Sequence, residues 1–396
     1  DLRWHCCSGP ANCIPRMSLS YLPPLSLYVH IPWCVKKCLY CDFNSHPLRS
    51  DVSPKDYTNT LIRDLEQHLG QIKDREIQTI FFGGGTPSVF EPDLIGTVID
   101  YVKENCLIRT DAEITLEANP GVSDRIKFEG YRRVGVNRLS IGVQTTNDQL
   151  LKKLGRVHAS AEAIETISDA KSIFENINID LMFALPEQGL GELKTDLSRV
   201  LEFAPEHLSI YQLTIEPNTW FFRYPPKLPD DDLASEMQFE IESVAHEHGY
   251  KQYEVSAFAK PGRQCSHNMN YWEFGDYLGV GAGAHSKITT SNSVTRLVKH
   301  KQPKRYMEAV AIGDSVSSNQ IVTSESLPFE FFMNALRLNG GVPRSLFEKR
   351  TALPIDIVES QLVALERRGL MNVSEGFIRT TPLGMRFLNE VLQEFL

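Results

Sequence analysis

Leu25-Ser26-Leu27-Tyr28-Val29-His30-Ile31-Pro32-Trp33-Cys34-Val35-Lys36-Lys37-Cys38-Leu39-Tyr40-Cys41 couples a strand-like run to three cysteines spaced C-x3-C-x2-C. The run from Leu25 to Ile31 is apolar, β-branched and aromatic, and Pro32 ends it, so the cysteines fall on the loop after a strand. Three thiolates on one short loop hold three irons of a 4Fe–4S cube and leave the fourth iron open to an exchangeable ligand. A structural zinc ion needs a fourth ligand, which His46 would have to supply, and the spacing is not that of paired C-x2-C knuckles. A redox thiol is the remaining alternative.

Outward from that loop, five more runs of the same texture follow: Thr79–Phe82, Glu113–Glu117, Arg138–Ile141, Asn176–Met182 and His207–Leu213. Helical patterns separate them at Pro54–Ile72, opened by Ser53 and Pro54 as cap and first turn, and at Pro92–Glu104, Ser123–Val134, Ala159–Phe174 and Leu190–Phe203. Strands that alternate with helices build an α/β fold on a parallel sheet. A closed barrel of this kind takes eight units, so six predict a partial, open (βα)6 barrel with a wide lateral mouth.

At 396 residues the chain is long enough for two or three domains. A hydrophobic content of 42% excludes a disordered chain, and the absence of any apolar run near 20 residues argues against an integral membrane segment. A formal net charge of −9 disfavours broad capture of nucleic acid. The eight cysteines are clustered rather than spread as a disulfide framework, which favours a reducing compartment, and the cytoplasm is the expected location. Organised patterning begins only near Leu25, so residues 1–16 read as an upstream extension in which Cys6, Cys7 and Cys13 are incidental.

The expected domains are this extension, a core over 17–224, a barrel-completing segment over 225–321 and a C-terminal domain over 322–396. Tyr224–Asp232, rich in proline and acidic residues, is the connector into the third of these. There a helical pattern at Leu233–His248 precedes strand-like Gln252–Phe258, the segment Pro261–Phe274 and the small-residue run Gly279–His285. Residues 322–396 read as three helices, a hairpin at Met371–Arg379 turned by Glu375–Gly376, and a last helix from Pro382, a winged-helix-like α+β pattern. Eight Lys and Arg stand there against nine Asp and Glu, so the basic footprint of a duplex binder is missing and a packing or lid domain is expected.

With its cysteine loop placed at the end of the first strand, the sequence resembles the radical S-adenosylmethionine (SAM) superfamily, in which SAM chelates the open iron. The resemblance implies that Cys34, Cys38 and Cys41 hold the cluster and that SAM sits at the carboxyl ends of the strands. Gly83-Gly84-Gly85-Thr86-Pro87 follows the second run and matches the family's segment against the SAM amino group. Glu117 follows the third run, Gln144 the fourth, and Asp180 lies in the fifth. Together with Tyr28, Gly84, Gly85, Thr86 and Arg156 they are the implied SAM ligands, Arg156 as a bidentate partner for a carboxylate.

Within the superfamily the motifs are similar to the branch that holds oxygen-independent coproporphyrinogen III oxidase and a family of haem chaperones. The oxidase pattern carries a further cysteine at C-x3-C-x2-C-x-C, where this chain has Phe43. The chaperone pattern includes H-N-x-x-Y-W, present as His267-Asn268-Met269-Asn270-Tyr271-Trp272. An imidazole ligates haem iron and flanking aromatics give flat apolar contact, so His267, Asn268, Tyr271 and Trp272 are the expected haem site, with Cys265 as a further ligand to test. The expectation is a cytoplasmic haem chaperone with a 4Fe–4S cluster and exchangeable SAM, whose partners are haem and acceptor haemoproteins, with a homodimer as an open question. The alternative is a radical SAM enzyme that decarboxylates porphyrinogen propionates. A winged-helix regulator that senses through its cluster is the third reading, disfavoured by the acidic balance of 322–396.

Overall fold

A computed structural model describes residues 21–48, 52–122, 124–374 and 376–396. The extension at 1–16, with Cys6, Cys7 and Cys13, lies outside them, as do Ser123 and Glu375. The first half of the chain runs β1 (Leu25–Ile31), α1 (Pro54–Ile72), β2 (Ile77–Gly84), α2 (Pro92–Asn105), β3 (Ile108–Ala118), α3 (Arg125–Val134), β4 (Arg138–Gln144), α4 (Asp148–Leu154), α5 (Ser160–Ile173), β5 (Ile177–Phe183), α6 (Leu190–Leu201) and β6 (His207–Gln212). The short helix α4 was absent from the sequence reading; at 7 residues it is too brief for a clear helical period, and Asn147 and Gly155 bound it as caps.

Strands β1 to β6 lie side by side in chain order and all parallel. Leu25, Leu27, Val29 and Ile31 of β1 share one apolar core with Tyr57, Leu61 and Leu65 of α1, and the alternate residues of the other strands do the same against their helices. The opposite face of the strands carries Ser26, Thr79, Glu113, Arg138, Asn178 and His207, all buried. Unlike a closed barrel filled with branched apolar side chains, this one has a polar lumen.

The later segment adds α7 (Asp231–Glu247), β7 (Lys251–Glu254), β8 (Ala257–Ala259), α8 (Ser266–Trp272), β9 (Asp276–Val280), β10 (His285–Thr289), β11 (Val294–Lys299), α9 (Pro303–Ala311) and β12 (Val316–Val322). The full sheet has 12 strands in the order β12-β11-β10-β9-β1-β2-β3-β4-β5-β6-β8-β7 and remains open. The run Gly279–His285, part of the segment expected to complete one side, ends β9, turns at 281–284 and opens β10: Gly281 and Gly283 take φ of 106° and 78°, and a Cβ on Gly283 would meet the Asn44 amide at 2.3 Å. Strands β10 to β12 were not anticipated: β11 and β12 are polar and partly exposed, and β10, though mostly buried, opens with the polar residues His285, Ser286 and Lys287.

A second apolar core, around Phe331, Phe332, Phe347 and Leu362, draws most of its residues from the C-terminal part of the chain and also takes in Phe274 and Val294. Its helices are α10 (Leu327–Ala335), α11 (Arg344–Thr351) and α12 (Glu359–Arg367), beside a sheet of β13 (Val342–Pro343), β14 (Met371–Val373) and β15 (Phe377–Thr380) ordered β13-β15-β14. The expected last helix is two short ones, α13 (Pro382–Arg386) and α14 (Leu388–Gln393). No helix among the described residues is long and apolar enough to cross a membrane.

One buried ion pair ties α1 to the added strands. Lys299 Nζ lies 2.6 Å from Asp64 Oδ1 and 2.8 Å from Ser315 Oγ, with His68 Nε2 accepting at 2.6 Å, and the Tyr306 hydroxyl donates to Asp64 Oδ2 at 2.7 Å. Lys299 and Asp64 are fully buried, so removing one partner strands a charge. Asp64→Ala is expected to cost about 3–5 kcal/mol, and the double change Asp64→Leu with Lys299→Met to recover most of it. Urea unfolding of the three variants checks this; equal losses in the single and double variants would refute it.

Candidate functional site

The cysteine loop leaves β1 at the carboxyl edge of the sheet and is fastened on both sides. Gly85 N–H donates to Ile31 O and Thr86 N–H to Trp33 O, each at 2.8 Å, and Leu39 N–H donates to Leu154 O at 3.1 Å. A Cβ on Gly85 would lie 2.6 Å from Trp33 O, so glycine is required for β2 to run this close to the loop. Cys34 is buried; Cys38 and Cys41 are half-buried. Burial pushes the Cys34 and Cys41 thiols up from their ordinary range, which favours neutral thiols until a cation is present.

Beside the loop lies a cleft of about 870 Å³, part of it open to solvent. All three loop cysteines line it, together with seven of the eight residues expected around SAM: Gly84, Gly85, Thr86, Glu117, Gln144, Arg156 and Asp180. Tyr28 is the exception. Its ring stands behind Gly83, where an added Cβ would meet it at 2.9 Å, and its hydroxyl contacts His30 Nδ1 at 3.0 Å.

Gln144 takes φ of 71°, a strained value for a residue with a Cβ, held at the end of β4 where the backbone turns into the cleft. Glu117 Oε2 accepts from Gly84 N–H at 3.1 Å. Burial, reinforced by Asp180 nearby, raises the Glu117 carboxyl to about 8, against the pull of that N–H. Asp180 is also raised by burial, moderated by hydrogen bonds from Asn178, Ser209 and Ser140.

Because Glu117 holds its proton more tightly in the fold than in the unfolded chain, its contribution to stability falls as pH rises from about 4.5 to about 8. Glu117→Gln is therefore expected to stabilise the ligand-free protein relative to wild type by about 1–3 kcal/mol at pH 8, and by little at pH 5. Thermal unfolding at the two pH values checks this. A variant advantage that did not grow with pH would refute it.

The residues fit a cluster and SAM in three respects. Three thiols from one loop face one cleft; two acidic side chains lie across from them; and Arg156, which lines the cleft, has a buried Nε with no partner among the described residues, a donor left for a ligand carboxylate. No three His, Cys, Asp or Glu side chains among the described residues converge on one point as a single metal ion needs. A cube asks instead for three thiols that each reach a separate iron.

Arg156 is engaged by the protein itself. Its Nη2 donates to Asn119 Oδ1 at 2.8 Å and to Gly142 O, and its Nη1 to Cys38 Sγ at 3.7 Å. Sequence reasoning missed Asn119 and Ser140; the first stands two residues after Glu117 in Glu117-Ala-Asn119-Pro-Gly, a signal within reach once β3 is known to end there.

The His267–Trp272 segment forms α8 at the other end of the lumen, one layer below the cleft. Glu113 caps this helix, accepting from Ser266 N–H and His267 N–H, each at 3.1 Å, and from Cys265 Sγ at 3.5 Å. His267 is buried and stacks on Phe81 with centroids 4.9 Å apart. Thr79 Oγ1 donates to Ser26 Oγ at 2.8 Å, so it accepts from His267 Nδ1–H at 2.7 Å, and the lone pair on Nε2 faces the Tyr271 hydroxyl at 3.1 Å. Burial, with Arg138 nearby, lowers the imidazole to about 3, which keeps it neutral.

Cys265 is a buried thiol pushed up to about 12 by burial and Glu113, against Arg138. Asn268 and Trp272 are half-buried, with Arg337 4.4 Å above the Trp272 ring. A hydrogen-bonded chain joins the two ends of the lumen: Asp180, Asn178, His207, Tyr253 and the Cys265 N–H, with contacts of 2.7, 2.6, 2.8 and 3.3 Å.

The sequence profile of the radical SAM superfamily matches residues 28–200, and that of the HemN C-terminal domain matches residues 322–387. The heme chaperone HemW of Escherichia coli is 45% identical over 377 residues, covering 95% of this chain and 99% of that protein. The heme chaperone HemW of Bacillus subtilis is 35% identical over 380 residues, covering 94% and 99%. A solved structure of coproporphyrinogen III oxidase (HemN) from Escherichia coli, described as a radical SAM enzyme, superposes with a TM-score of 0.80 at 25% identity, over 94% of this chain and 90% of that one.

Proposed function

This chain belongs to the HemW family of the radical SAM superfamily, and from that premise we propose that it is a cytoplasmic haem chaperone that binds haem and passes it to acceptor haemoproteins. Cys34, Cys38 and Cys41 hold a 4Fe–4S cluster, and Gly84, Gly85, Thr86, Glu117, Gln144, Arg156 and Asp180 surround SAM, with Tyr28 bracing the glycine run from behind. When bound, the cluster supplies an electron and an open iron to which SAM is chelated. The chain's own residues orient that SAM: the Gly84 N–H sets the Glu117 carboxyl, Asn178 and Ser140 set Asp180, and the spare Arg156 Nε meets the carboxylate.

The observation that carries the chaperone reading over an oxidase is Phe43. It lines the cleft and is largely exposed where the oxidase pattern has its additional cysteine. His267 supports the same reading. A neutral imidazole with its lone pair on Nε2 is the form that ligates haem iron, and that lone pair is capped by Tyr271, so loading requires α8 to turn out from the end of the lumen. Cys265, held as a thiol, is the weaker donor. The likeness to coproporphyrinogen III oxidase favours the enzyme as the second reading.

One experiment separates them. The anaerobically reconstituted protein, given SAM, reductant and coproporphyrinogen III, is expected to make no protoporphyrinogen, yet to bind haem and transfer it to an apo-haemoprotein. Sustained decarboxylation of the porphyrinogen would overturn the chaperone reading.

A further inference from the structure

Two of the three loop thiols are joined through the protein by a chain of four hydrogen bonds. Thr86 Oγ1 donates to Cys34 Sγ at 3.6 Å, and Asn119 Nδ2 donates to Thr86 Oγ1 at 2.8 Å. On its other side Asn119 Oδ1 accepts from Arg156 Nη2 at 2.8 Å, while Arg156 Nη1 donates to Cys38 Sγ at 3.7 Å. One carboxamide therefore uses its donor toward the arm that reaches Cys34 and its acceptor toward the arm that reaches Cys38. No other neutral side chain of this size offers both, and Asp would lack the donor.

The surroundings are shaped for this amide. A Cβ on Gly142 would lie 2.7 Å from Asn119 Oδ1, so the glycine in β4 leaves the room that the side chain occupies. Asn119 N–H is held by Ser88 Oγ at 3.4 Å. Asn119 belongs to neither the cysteine loop nor the expected SAM ligands.

We propose that Asn119 is a positioning residue for the cluster, aiming the Thr86 hydroxyl at Cys34 and the Arg156 guanidinium at Cys38, and thereby raising the cluster's reduction potential. Donors to cysteinate sulfur stabilise the additional negative charge of the reduced state, so losing them makes the cluster harder to reduce. The inference rests on the cluster reading above. Arg156 is also the expected partner of the SAM carboxylate, so its orientation links the potential to SAM binding.

The test uses the full-length protein reconstituted anaerobically with iron and sulfide, as wild type, Asn119→Ala, Asn119→Asp and Thr86→Val. Iron and sulfide content report the cluster itself, and an EPR-monitored potentiometric measurement gives the midpoint. Asn119→Ala is expected to load its cluster, to shift the midpoint to more negative potential, and to weaken SAM binding about tenfold as Arg156 loses its anchor. Asn119→Asp keeps an acceptor for Arg156 but no donor for Thr86, so it lowers the midpoint while SAM affinity stays nearer wild type.

A wild-type midpoint in fully loaded Asn119→Ala overturns the proposal. If that variant loads poorly, Asn119→Asp and Thr86→Val decide together: a negative shift in both supports the proposal, and an unchanged midpoint in either overturns it. Absence of a cluster from the wild type would instead overturn the cluster reading, which the iron and sulfide content shows directly.

Discussion

Replacing Cys34, Cys38 or Cys41 by Ala is expected to abolish the oxygen-sensitive visible absorption of the reconstituted protein together with its bound iron and sulfide, a complete loss rather than a graded one. A cube held by three thiolates keeps no stable coordination with two, and no fourth cysteine among the described residues lines the cleft to substitute. Cys106→Ala is the matched control. That residue ends α2 and packs against the main apolar core, so its loss should leave iron, sulfide and absorption at the wild-type level. Circular dichroism on each variant separates cluster loss from unfolding. Equal loss in Cys106→Ala and Cys38→Ala would refute the three-cysteine assignment.

His267→Ala is expected to lower haem affinity by at least about tenfold and to change the Soret spectrum, while cluster content is unaffected. The two sites use different donors and are separated by the Tyr28 and Phe81 rings, with Tyr28 centred 6.4 Å from His267. Loss alone would not establish ligation, because His267 also fills space beside Phe81 and anchors α8 through Thr79. Tyr271→Phe gives the contrast. It removes the hydroxyl that caps the Nε2 lone pair, so haem should bind faster than to wild type, whereas a purely structural role for His267 would make both variants looser without faster binding. Rapid-mixing absorbance at the Soret band reads both. An unchanged spectrum in His267→Ala would move the iron ligand elsewhere, with Cys265→Ala the next variant to examine.

The barrel and its site were unequally legible. Six strand positions could be read because apolar residues of β1 to β6 recur on the face that meets the helices, a local period that needs no knowledge of partners. The residues expected around SAM came from the resemblance to the radical SAM superfamily, and the parallel sheet then brings the strands that carry them together on one side. Asn119 was passed over because its role exists only when β3 and β4 lie side by side and Gly142 makes room. Strands β10 to β12 escaped for a related reason: β12 is an exposed polar edge strand, and β10 buries Lys287 only because it lies beside Asp276 of β9.

By itself the sequence determined the open α/β barrel, the loop that presents Cys34, Cys38 and Cys41, and the strands that carry Glu117 near the end of β3 and Asp180 within β5. These depend on short-range spacing and on strand period. Only the tertiary structure decided what those residues touch. Arg156 meets Asn119 across 37 positions of chain, and Thr79 meets His267 across 188, so neither contact has a local signature. The same is true of His267 itself: its ligand chemistry is a property of the side chain, but its burial, neutrality and Tyr271 cap arise because α8 folds against the polar lumen of a barrel built far earlier in the chain.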